Sequence, residues 1–316
     1  MGKGLVIKST GSWYHVKTES EITECKIRGK FRMKGIKTTN PIAVGDIVDF
    51  KIDKKTGYGV ITKIYPRKNY IIRKSINLSK RTHILAANID QAILMVTLIN
   101  PKTYPEFIDR FLVSAQAYNI PAKIIFNKID IYDKETLDNM NKLINTYESI
   151  GYKCFAISVK DKIGIDDISK LLLNKISVIA GHSGIGKSTL INTIDPTLHL
   201  KTSEISEMHK SGIHTTTYPE MHPINNSGYI IDTPGIKGLG IVDIDKKEIY
   251  HYFPEIFKIS KECLYNNCTH SHEPSCAVKQ AVEKGEISKT RYKSYINLLN
   301  DDDDVKFRTN NYVTED

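Results

Sequence analysis

The sequence predicts a multidomain α/β protein with three parts: a small N-terminal β-barrel, a central doubly wound parallel sheet and a small C-terminal helical domain. Short strand-like runs with glycine turns fill the N-terminal region, apolar runs alternate with helical patterns in the middle, and cysteines cluster near the end. A length of 316 residues suits two or three modest domains. We expect them to cover residues 1–70, 71–245 and 246–316.

The N-terminal region is basic and rich in short strands. Strands are predicted at residues 5–7, 13–16, 25–28, 46–50 and 59–64, with turns at Gly11, Gly29, Gly45 and Gly57. Residues 1–72 hold 15 Lys and Arg against 6 Asp and Glu, and the rest of the chain holds 30 of each, so this region carries the whole net charge of +9. A barrel with interleaved basic and aromatic residues is typical of nucleic-acid binding, although a merely solvated face is the alternative. The basic residues are densest at Lys26, Arg28, Lys30, Arg32, Lys34 and Lys37.

A linker is expected at residues 66–69, followed by a buried strand within residues 84–98. Further on, a phosphate-binding loop is the strongest motif of the chain. It matches G-x-x-x-x-G-K-[ST], follows an apolar run at 177–180 and precedes a segment that can open a helix. Backbone N–H groups of such a loop converge on phosphate oxygens, Lys187 reaches the β- and γ-phosphates, and Ser188 ligates Mg²⁺. A glycine-rich turn without a ligand is the alternative. The candidate residues are Gly181, His182, Ser183, Gly184, Ile185, Gly186, Lys187, Ser188 and Thr189.

Two further motifs complete a nucleotide site. Asp232 ends an apolar run and can hold Mg²⁺ through water, while the N–H of Gly235 can approach the γ-phosphate. Asn127-Lys128-Ile129-Asp130 follows the apolar run 123–126, at the end of a predicted parallel strand where open α/β sheets bind ligands. Asp130 can accept from guanine N1–H and the 2-amino group, which adenine cannot reproduce, and Lys128 can lie over the base.

Ser158, Val159 and Lys160 follow a third apolar run and fit the loop that supports guanine O6 through backbone N–H groups. Each base-reading motif is weak alone, but beside a phosphate loop they predict GTP or GDP as the nucleotide. The order of the motifs is also informative. Asn127 precedes Gly181, whereas ordinary small GTPases have the phosphate loop first, so the sequence predicts a circularly permuted P-loop GTPase domain.

Residues 212–217 lie between the two phosphate motifs and predict a switch segment. We expect Thr216 to complete the Mg²⁺ shell while a γ-phosphate is present. Ile236 stands where many GTPases have a water-orienting glutamine, so intrinsic hydrolysis should be slow. Catalysis is then expected to depend on Lys187, Thr216 and His214, although a solvated loop histidine and a group supplied by a partner remain the alternatives for His214.

The C-terminal region contains Cys263, Cys268, His270 and Cys276 within 14 residues. Three thiolates and one imidazole are the four ligands of a structural zinc site, and a chance cluster is the alternative. His272 competes for the fourth position, and His270 is preferred. Helices are predicted after the cluster, at 277–283 and 289–299, so one structural Zn²⁺ would stabilise a domain with a small core.

Composition excludes some classes of protein. No run of 18 apolar residues exists, and residues 1–7 have too short an apolar core for a signal peptide, so a cytoplasmic protein without a membrane partner is expected. Five cysteines, two of them isolated, do not form a disulfide framework, which suits a reducing compartment. We also expect a monomer.

The motif order resembles the circularly permuted GTPases, and specifically the RsgA (YjeQ) family. Residues 86–91, 107–112 and 263–292 resemble that family too, so the similarity spans nearly the whole chain. Val159, where alanine is usual, and four aspartates at 301–304 are minor departures. The resemblance implies an OB-fold, a permuted G domain, a zinc domain and GTP hydrolysis stimulated by the small ribosomal subunit during its late maturation, with rRNA as a partner and the histidine at position 214 as a catalytic group.

Two other functions fit parts of the sequence. The missing glutamine favours a non-enzymatic RNA-binding scaffold in which GTP is only a structural ligand. A complete set of candidate Mg²⁺ and γ-phosphate ligands argues against it. A translation-factor-like GTPase that acts on working ribosomes is the third possibility.

Overall fold

The computed structural model describes residues 2–27, 41–74, 82–199, 220–224, 227–232 and 244–300. These residues form an N-terminal barrel, an open α/β sheet and a helical C-terminal part, which confirms the predicted fold class. The domain boundaries at residues 70 and 245 stay predictions. Among the described residues, no helix is both long and apolar enough to cross a membrane.

Five short strands close the barrel because the first strand pairs with both the second and the fourth. Inward-facing residues such as Val6, Val16 and Ile61 alternate with more exposed ones and form the barrel core. This alternation is what a half-buried strand requires. The strands are β1 (Gly2–Ser9), β2 (Tyr14–Lys17), β3 (Ile22–Ile27), β4 (Ile47–Ile52) and β5 (Gly59–Ile64).

Three of the four predicted glycine turns lie in the described residues. Gly11, Gly45 and Gly57 have φ angles of +85°, +92° and +77°. At Gly45 a Cβ atom would lie 2.0 Å from the carbonyl oxygen of Ala87, so no other residue fits there. Gly29 lies outside the described residues.

The predicted linker at residues 66–69 is a packed joint between the barrel and the next sheet. Arg67 is 4% exposed and donates to both carboxylate oxygens of the fully buried Asp46, at 2.6 and 2.5 Å. The Asn69 side chain exchanges two hydrogen bonds of 2.8 Å with the backbone of Ile89. A two-stranded hairpin that the sequence did not predict follows, formed by β6 (Tyr70–Lys74) and β7 (Thr82–Ala87).

The central sheet has the order β10-β9-β8-β11-β13-β12 and is parallel except for β12, which is antiparallel to β13. Every residue of β8 is buried, as expected of an apolar strand in the middle of a sheet covered by helices. These strands are β8 (Gln91–Val96), β9 (Ala122–Phe126), β10 (Lys153–Ala156), β11 (Ile176–Ala180), β12 (Glu220–Ile224) and β13 (Gly228–Asp232).

The barrel and the central sheet share backbone hydrogen bonds. β1 pairs antiparallel with β12, with Lys8 opposite Glu220, and the two side chains form an ion pair of 2.9 Å. The five described strands of the barrel and the six described strands of the central sheet therefore form one continuous sheet of eleven strands.

The helices begin where the sequence provides start signals. α1 has Pro105 in its first turn, and the carboxylate of Asp133 caps α2 by accepting from the N–H of Thr136 at 2.8 Å. The helices are α1 (Pro105–Ala117), α2 (Lys134–Ser149), α3 (Ile165–Leu172), α4 (Lys187–Ile194), α5 (Pro254–Ser260), α6 (Ala277–Glu283) and α7 (Lys289–Asn300), with 3₁₀ turns at Ile129–Ile131, Pro196–Leu198 and Lys246–Tyr252.

The C-terminal helices pack around a core of their own. Phe253, Ile256, Tyr295 and Leu298 are buried there together with Val113 of α1. The helical elements at Lys246–Tyr252 and α5 were not predicted from the sequence, whereas α6 and α7 lie at the predicted positions to within one residue.

Candidate nucleotide and metal sites

The phosphate loop joins the end of β11 to the start of α4, as the motif requires. Gly181, Gly184 and Gly186 have φ angles of +145°, +75° and +101°, which side chains with a Cβ rarely adopt. A Cβ atom on Gly181 would lie 2.4 Å from the carbonyl oxygen of Met95. The buried Ile185 anchors the loop to the core, whereas Ser183 and Gly184 are exposed. The loop thus has the open backbone that a phosphate group needs.

Lys187 lies at the first position of α4, and its ammonium points into the loop. Its Nζ donates to the carbonyl oxygens of Gly181 at 2.7 Å and His182 at 2.6 Å. Ser188 is buried beside it, and Thr189 is exposed. The helix N-terminus and the ammonium together make this loop attractive to anions.

Asn127 connects the phosphate loop to the loop at 158–160. Its side chain is 2% exposed, and its Nδ2 donates to the carbonyl oxygen of Ile185 at 2.9 Å. Its Oδ1 accepts from the N–H of Val159 at 3.2 Å. A Cβ atom on Gly186 would lie 2.6 Å from this amide, so a glycine is needed for the contact. Three segments that are far apart in the chain meet at this single amide.

Lys128 spans the distance between the base-reading segment and the phosphate loop. It has a left-handed backbone with a φ of +68°, which is unusual for a residue other than glycine. Its Nζ donates to the carbonyl oxygens of Gly184 at 2.9 Å and Asn100 at 2.5 Å. Strain of this kind persists where surrounding contacts hold it, and it is frequent at functional sites.

Asp130 is held in place by the loop at 158–160. Its Oδ1 accepts from the hydroxyl of Ser158 at 2.7 Å, and that hydroxyl oxygen accepts from the N–H of Asp161 at 3.1 Å. Ser158 and Val159 are buried, while Lys160 is exposed. The carboxylate therefore has a fixed orientation, and both of its oxygens can still accept from a ligand.

Several predicted residues cannot be placed against this site. His214, Thr216, Gly235 and the side chain of Asp232 lie outside the described residues, as does Ile236. The backbone of Asp232 ends β13, next to the strand that leads to the phosphate loop. The ligand roles of the residues named for this site stay predictions.

A ring contact at the phosphate loop was not predicted from the sequence. The imidazole of His182 lies against the ring of Phe107 in α1, with 4.1 Å between the centroids. Burial, and next the charge of Lys187, lowers the pKa of His182. Only the fold shows that the first turn of α1 touches the phosphate loop.

A buried arginine joins α1 to the C-terminal helices, and it was also missed. The guanidinium of Arg291 donates to Asp109 at 2.8 Å and to Glu255 at 2.7 and 3.2 Å. The hydroxyl of Tyr147 donates to Asp109 at 2.9 Å, and the ring of Phe253 lies 4.5 Å from the guanidinium. Burial alone would lower the pKa of Arg291, but the two carboxylates outweigh it and keep the arginine charged.

The predicted metal ligands come together in the C-terminal part. Their ligand atoms all lie within 4.8 Å of one another. The Nδ1 atom of His270 is 3.5 Å from the sulfurs of Cys263 and Cys276, and those two sulfurs are 3.8 Å apart. In a tetrahedral zinc site the bonds are about 2.3 Å to sulfur and about 2.0 Å to nitrogen. The ligand atoms are then about 3.5 Å apart for a sulfur and a nitrogen, and about 3.8 Å apart for two sulfurs. The cluster thus has the dimensions of a closed tetrahedral site.

His270, and not the competing His272, faces the thiols. His272 is exposed and its ring nitrogen pairs with the hydroxyl of Ser271 at 2.9 Å. The loop is fixed from α7, because the hydroxyls of Tyr292 and Tyr295 donate to the carbonyl oxygens of His270 and Thr269 at 2.7 and 2.6 Å. The four residues of the cluster are Cys263, Cys268, His270 and Cys276.

The base-reading segment and the phosphate loop meet at the carboxyl ends of parallel strands. This arrangement defines a GTPase of the P-loop class. Here β9, which carries the base-reading segment, precedes β11 in the chain, so the class is the circularly permuted one. The chain belongs to the RsgA GTPase family: the family model for the RsgA GTPase matches residues 64–242, and that for the RsgA N-terminal domain matches residues 3–61.

Individual relatives agree with this assignment. The small ribosomal subunit biogenesis GTPase RsgA 2 of Bacteroides thetaiotaomicron is 56% identical over 97% of this chain and 99% of its own length. The RsgA of Flavobacterium psychrophilum is 54% identical over 98% of this chain and 95% of its own. Among solved structures, YjeQ from Thermotoga maritima has a TM-score of 0.78 and 36% identity, covering 94% of this chain and 97% of its own. YloQ, a circularly permuted GTPase, has a TM-score of 0.74 and 32% identity, covering 95% and 94%.

Proposed function

We propose that this protein is a GTPase that binds the small ribosomal subunit and assists its late maturation, with hydrolysis stimulated by the subunit. The observation that carries the GTPase assignment is the buried Asn127 amide, which holds the phosphate loop and the base-reading loops in one arrangement. The relatives from Bacteroides thetaiotaomicron and Flavobacterium psychrophilum, named as small-ribosomal-subunit biogenesis GTPases, support the partner.

Within the site, Asp130 selects guanine and Lys128 lies over the base. Backbone N–H groups of residues 183–188 bind the phosphates, and Lys187 turns from its loop carbonyls to the β- and γ-oxygens. The glycines support this role, because Cβ atoms at Gly181 and Gly186 would clash with Met95 and Asn127, whereas without them the loop keeps the backbone conformation that presents N–H groups to a phosphate. Ser188, Thr216 and, through water, Asp232 would hold Mg²⁺, which neutralises charge on the phosphate oxygens when bound.

Hydrolysis needs a group that positions water, and Ile236 cannot do so. We assign this role to His214, which lies two positions before Thr216 on the predicted switch segment. GTP-bound and GDP-bound forms would then differ in this segment, and release from the subunit would follow hydrolysis.

The cysteine cluster would hold one structural Zn²⁺, since its donor set and separations match a closed site with no position for substrate. We further propose that the basic barrel contacts rRNA, that the protein works in the cytoplasm, and that it acts as a monomer.

The decisive experiment measures GTP turnover of the full chain alone and with isolated small subunits, large subunits or whole ribosomes. Strong stimulation by small subunits alone supports the proposal. Stimulation by whole ribosomes instead would favour a translation-factor-like GTPase, and tight GTP binding without turnover under any condition would favour a non-enzymatic scaffold.

We predict that His214→Ala removes most of the stimulation by small subunits while GTP binding survives, because a general base or water-positioning group typically contributes about 10²- to 10⁴-fold. Thr216→Ala should also lose turnover, through loss of a Mg²⁺ ligand. Single-turnover kinetics and nucleotide binding measured on the same samples separate these effects. Full stimulation of His214→Ala would transfer the role to a group of the subunit.

A further inference from the structure

Three residues at one end of the barrel form a cluster that the nucleotide and metal sites do not use. Trp13 lies between β1 and β2, Tyr58 lies between β4 and β5, and Lys26 lies on β3. The indole and phenol rings are 4.6 Å apart at an angle of 75°. The ammonium of Lys26 lies 3.8 Å from the indole centroid and 5.7 Å from that of the phenol ring.

These three distances make the angle at the indole centroid close to a right angle. Lys26 and Tyr58 therefore do not lie on opposite faces of the indole, and the indole is not enclosed between them. Trp13 is only partly buried, Tyr58 is 40% exposed and Lys26 is exposed. The barrel core is formed by other residues, among them the neighbouring Tyr14, so Trp13 is not needed to fill it.

The backbone holds both aromatic residues in place. Thr10 donates from its N–H and its hydroxyl to the carbonyl oxygen of Trp13, at 3.0 and 3.3 Å. The N–H of Asp53 donates to the carbonyl oxygen of Tyr58 at 2.8 Å, across a turn that contains Gly57 with its φ of +77°. These bonds fix the backbone that carries the two rings, and a fixed backbone lowers the entropic cost of binding.

The charge of Lys26 has no carboxylate partner in the part of the chain that the structure describes. Lys54 and Lys55 lie in the loop that carries Tyr58, and both are exposed. The sequence adds four more basic residues directly after β3, between Arg28 and Lys34. Three exposed lysines, Lys26, Lys54 and Lys55, thus lie on β3 or in the loop that carries Tyr58, which favours an anionic ligand with flat groups.

We propose that Trp13, Tyr58 and Lys26 form a stacking site for one unpaired nucleotide of an RNA strand. A base stacks on the open part of the indole, and Lys26 shifts from the ring to the adjoining phosphate. An OB-fold binds oligonucleotides through the loops that join its first and second strands and its fourth and fifth strands, which are the loops that carry these rings. The base has to be unpaired because a paired base within a helix has no free face.

This inference rests on the proposed function, since it names the part of the RNA partner that the barrel holds. The site offers a direct readout, because Trp13 is the sole tryptophan of the chain. Full-length protein is titrated with a short single-stranded RNA while tryptophan emission is followed. A duplex of the same sequence and inorganic polyphosphate are compared at equal phosphate concentration. We expect saturable quenching by the single strand and much weaker quenching by the other two.

Binding of a labelled single strand to variants tests the residues. Trp13→Leu should weaken binding by at least about fivefold, the low end for the loss of one stacked base. Tyr65→Leu is the matched control, since Tyr65 is also flanked by lysines, Lys3 and Lys63, at 4.4 and 4.5 Å, but belongs to neither loop. Melting curves identify any variant that is not folded, and Trp13→Phe, which keeps a ring, should retain most of the affinity.

The outcomes separate this inference from the proposed function. Equal quenching by single strand, duplex and polyphosphate would mean that only charge is sensed, and equal losses in Trp13→Leu and Tyr65→Leu would also overturn the site. If small subunits stimulate turnover in wild type and in Trp13→Leu at the same half-maximal concentration, the stacking site is wrong and the GTPase proposal stands. If small subunits never stimulate the wild type, the proposed function fails, whatever the oligonucleotide does.

Discussion

At the scale of single residues, the buried amide of Asn127 connects two loops of the nucleotide site. It donates to the phosphate loop and accepts from the loop at 158–160, so the two loops are held against each other. Asp130 is oriented in the same way by Ser158. Preorganisation of this kind lowers the entropic cost of binding, because fewer groups have to be ordered when the nucleotide arrives.

We predict that Asp130→Asn weakens GTP binding by about 1–3 kcal/mol, the range for a bidentate contact to a base. The same variant should gain affinity for xanthosine triphosphate, because the new amide can donate to the 2-oxo group of xanthine. Fluorescence titration of the wild type and the variant with each nucleotide measures the two affinities. Ser158→Ala is the control, since it removes the hydroxyl that orients Asp130 and should cost less. Unchanged GTP affinity in Asp130→Asn would reject the assignment of this residue.

The residues found from the sequence lie close to their partners in the chain, whereas the residues that were missed lie far from theirs. The phosphate loop and the cysteine cluster lie within short segments, so residue spacing alone revealed them. Arg291 and Asp109 are 182 positions apart, and an arginine in a helix carries no sign that it will be buried. The contact between His182 and Phe107 has the same origin, because it depends on which helix covers the loop.

At the scale of secondary-structure elements, α1 lies between the nucleotide loop and the C-terminal helices. Phe107 touches the phosphate loop, Asp109 binds Arg291 of α7, and Glu106 accepts from Asn297 of α7 at 3.2 Å. The sequence predicted helical patterns between the strands of the central sheet, but not the partners of this helix. The elements at 246–260 were missed for a related reason: their apolar residues Ile249, Phe253 and Ile256 are recognised as core only once α1 and α7 lie beside them.

We expect Arg291→Leu to lower the free energy of unfolding by about 3–5 kcal/mol, because Asp109 and Glu255 lose their buried counter-charge. Chemical denaturation followed by circular dichroism measures this. Replacing all three residues with leucine should recover much of the loss, since no buried charge remains. Lys8→Ala breaks an ion pair whose partners are 36% and 38% exposed, so it should cost at most about 1 kcal/mol. Similar losses in Arg291→Leu and Lys8→Ala would contradict this account.

The zinc prediction belongs to the same scale. Purified protein should contain one zinc per chain, and Cys268→Ala or a strong chelator should unfold the C-terminal helices while GDP binding largely survives. Metal analysis and nucleotide titration on one sample test both parts. Cys154→Ala, which changes a cysteine outside the cluster, should keep its zinc. A folded, unchelated sample without zinc would refute the site.

At the scale of the whole molecule, the charge is asymmetric: the basic barrel carries the net charge, while the remaining chain is balanced. We predict that the small-subunit concentration needed for half-maximal stimulation rises steeply with salt, because each phosphate that the protein neutralises releases counterions. The logarithm of this concentration is plotted against the logarithm of the salt concentration. Neutralising Lys30 and Lys34 together should reduce the slope of that plot by roughly 0.7–0.9 for each phosphate contact that is lost. A slope that stays the same would place the RNA-binding surface elsewhere on the protein.

The pairing of β1 with β12 makes the barrel part of the sheet it accompanies. In a protein cut after residue 70, β12 would be the outer strand of the sheet among the described residues, and the pairing of Glu220 with Lys8 would be lost. Bare edges of this kind recruit strands from other copies and lead to aggregation. The barrel therefore also protects the edge of the central sheet. A domain that replaced it would have to provide a strand that pairs with β12 in the same register.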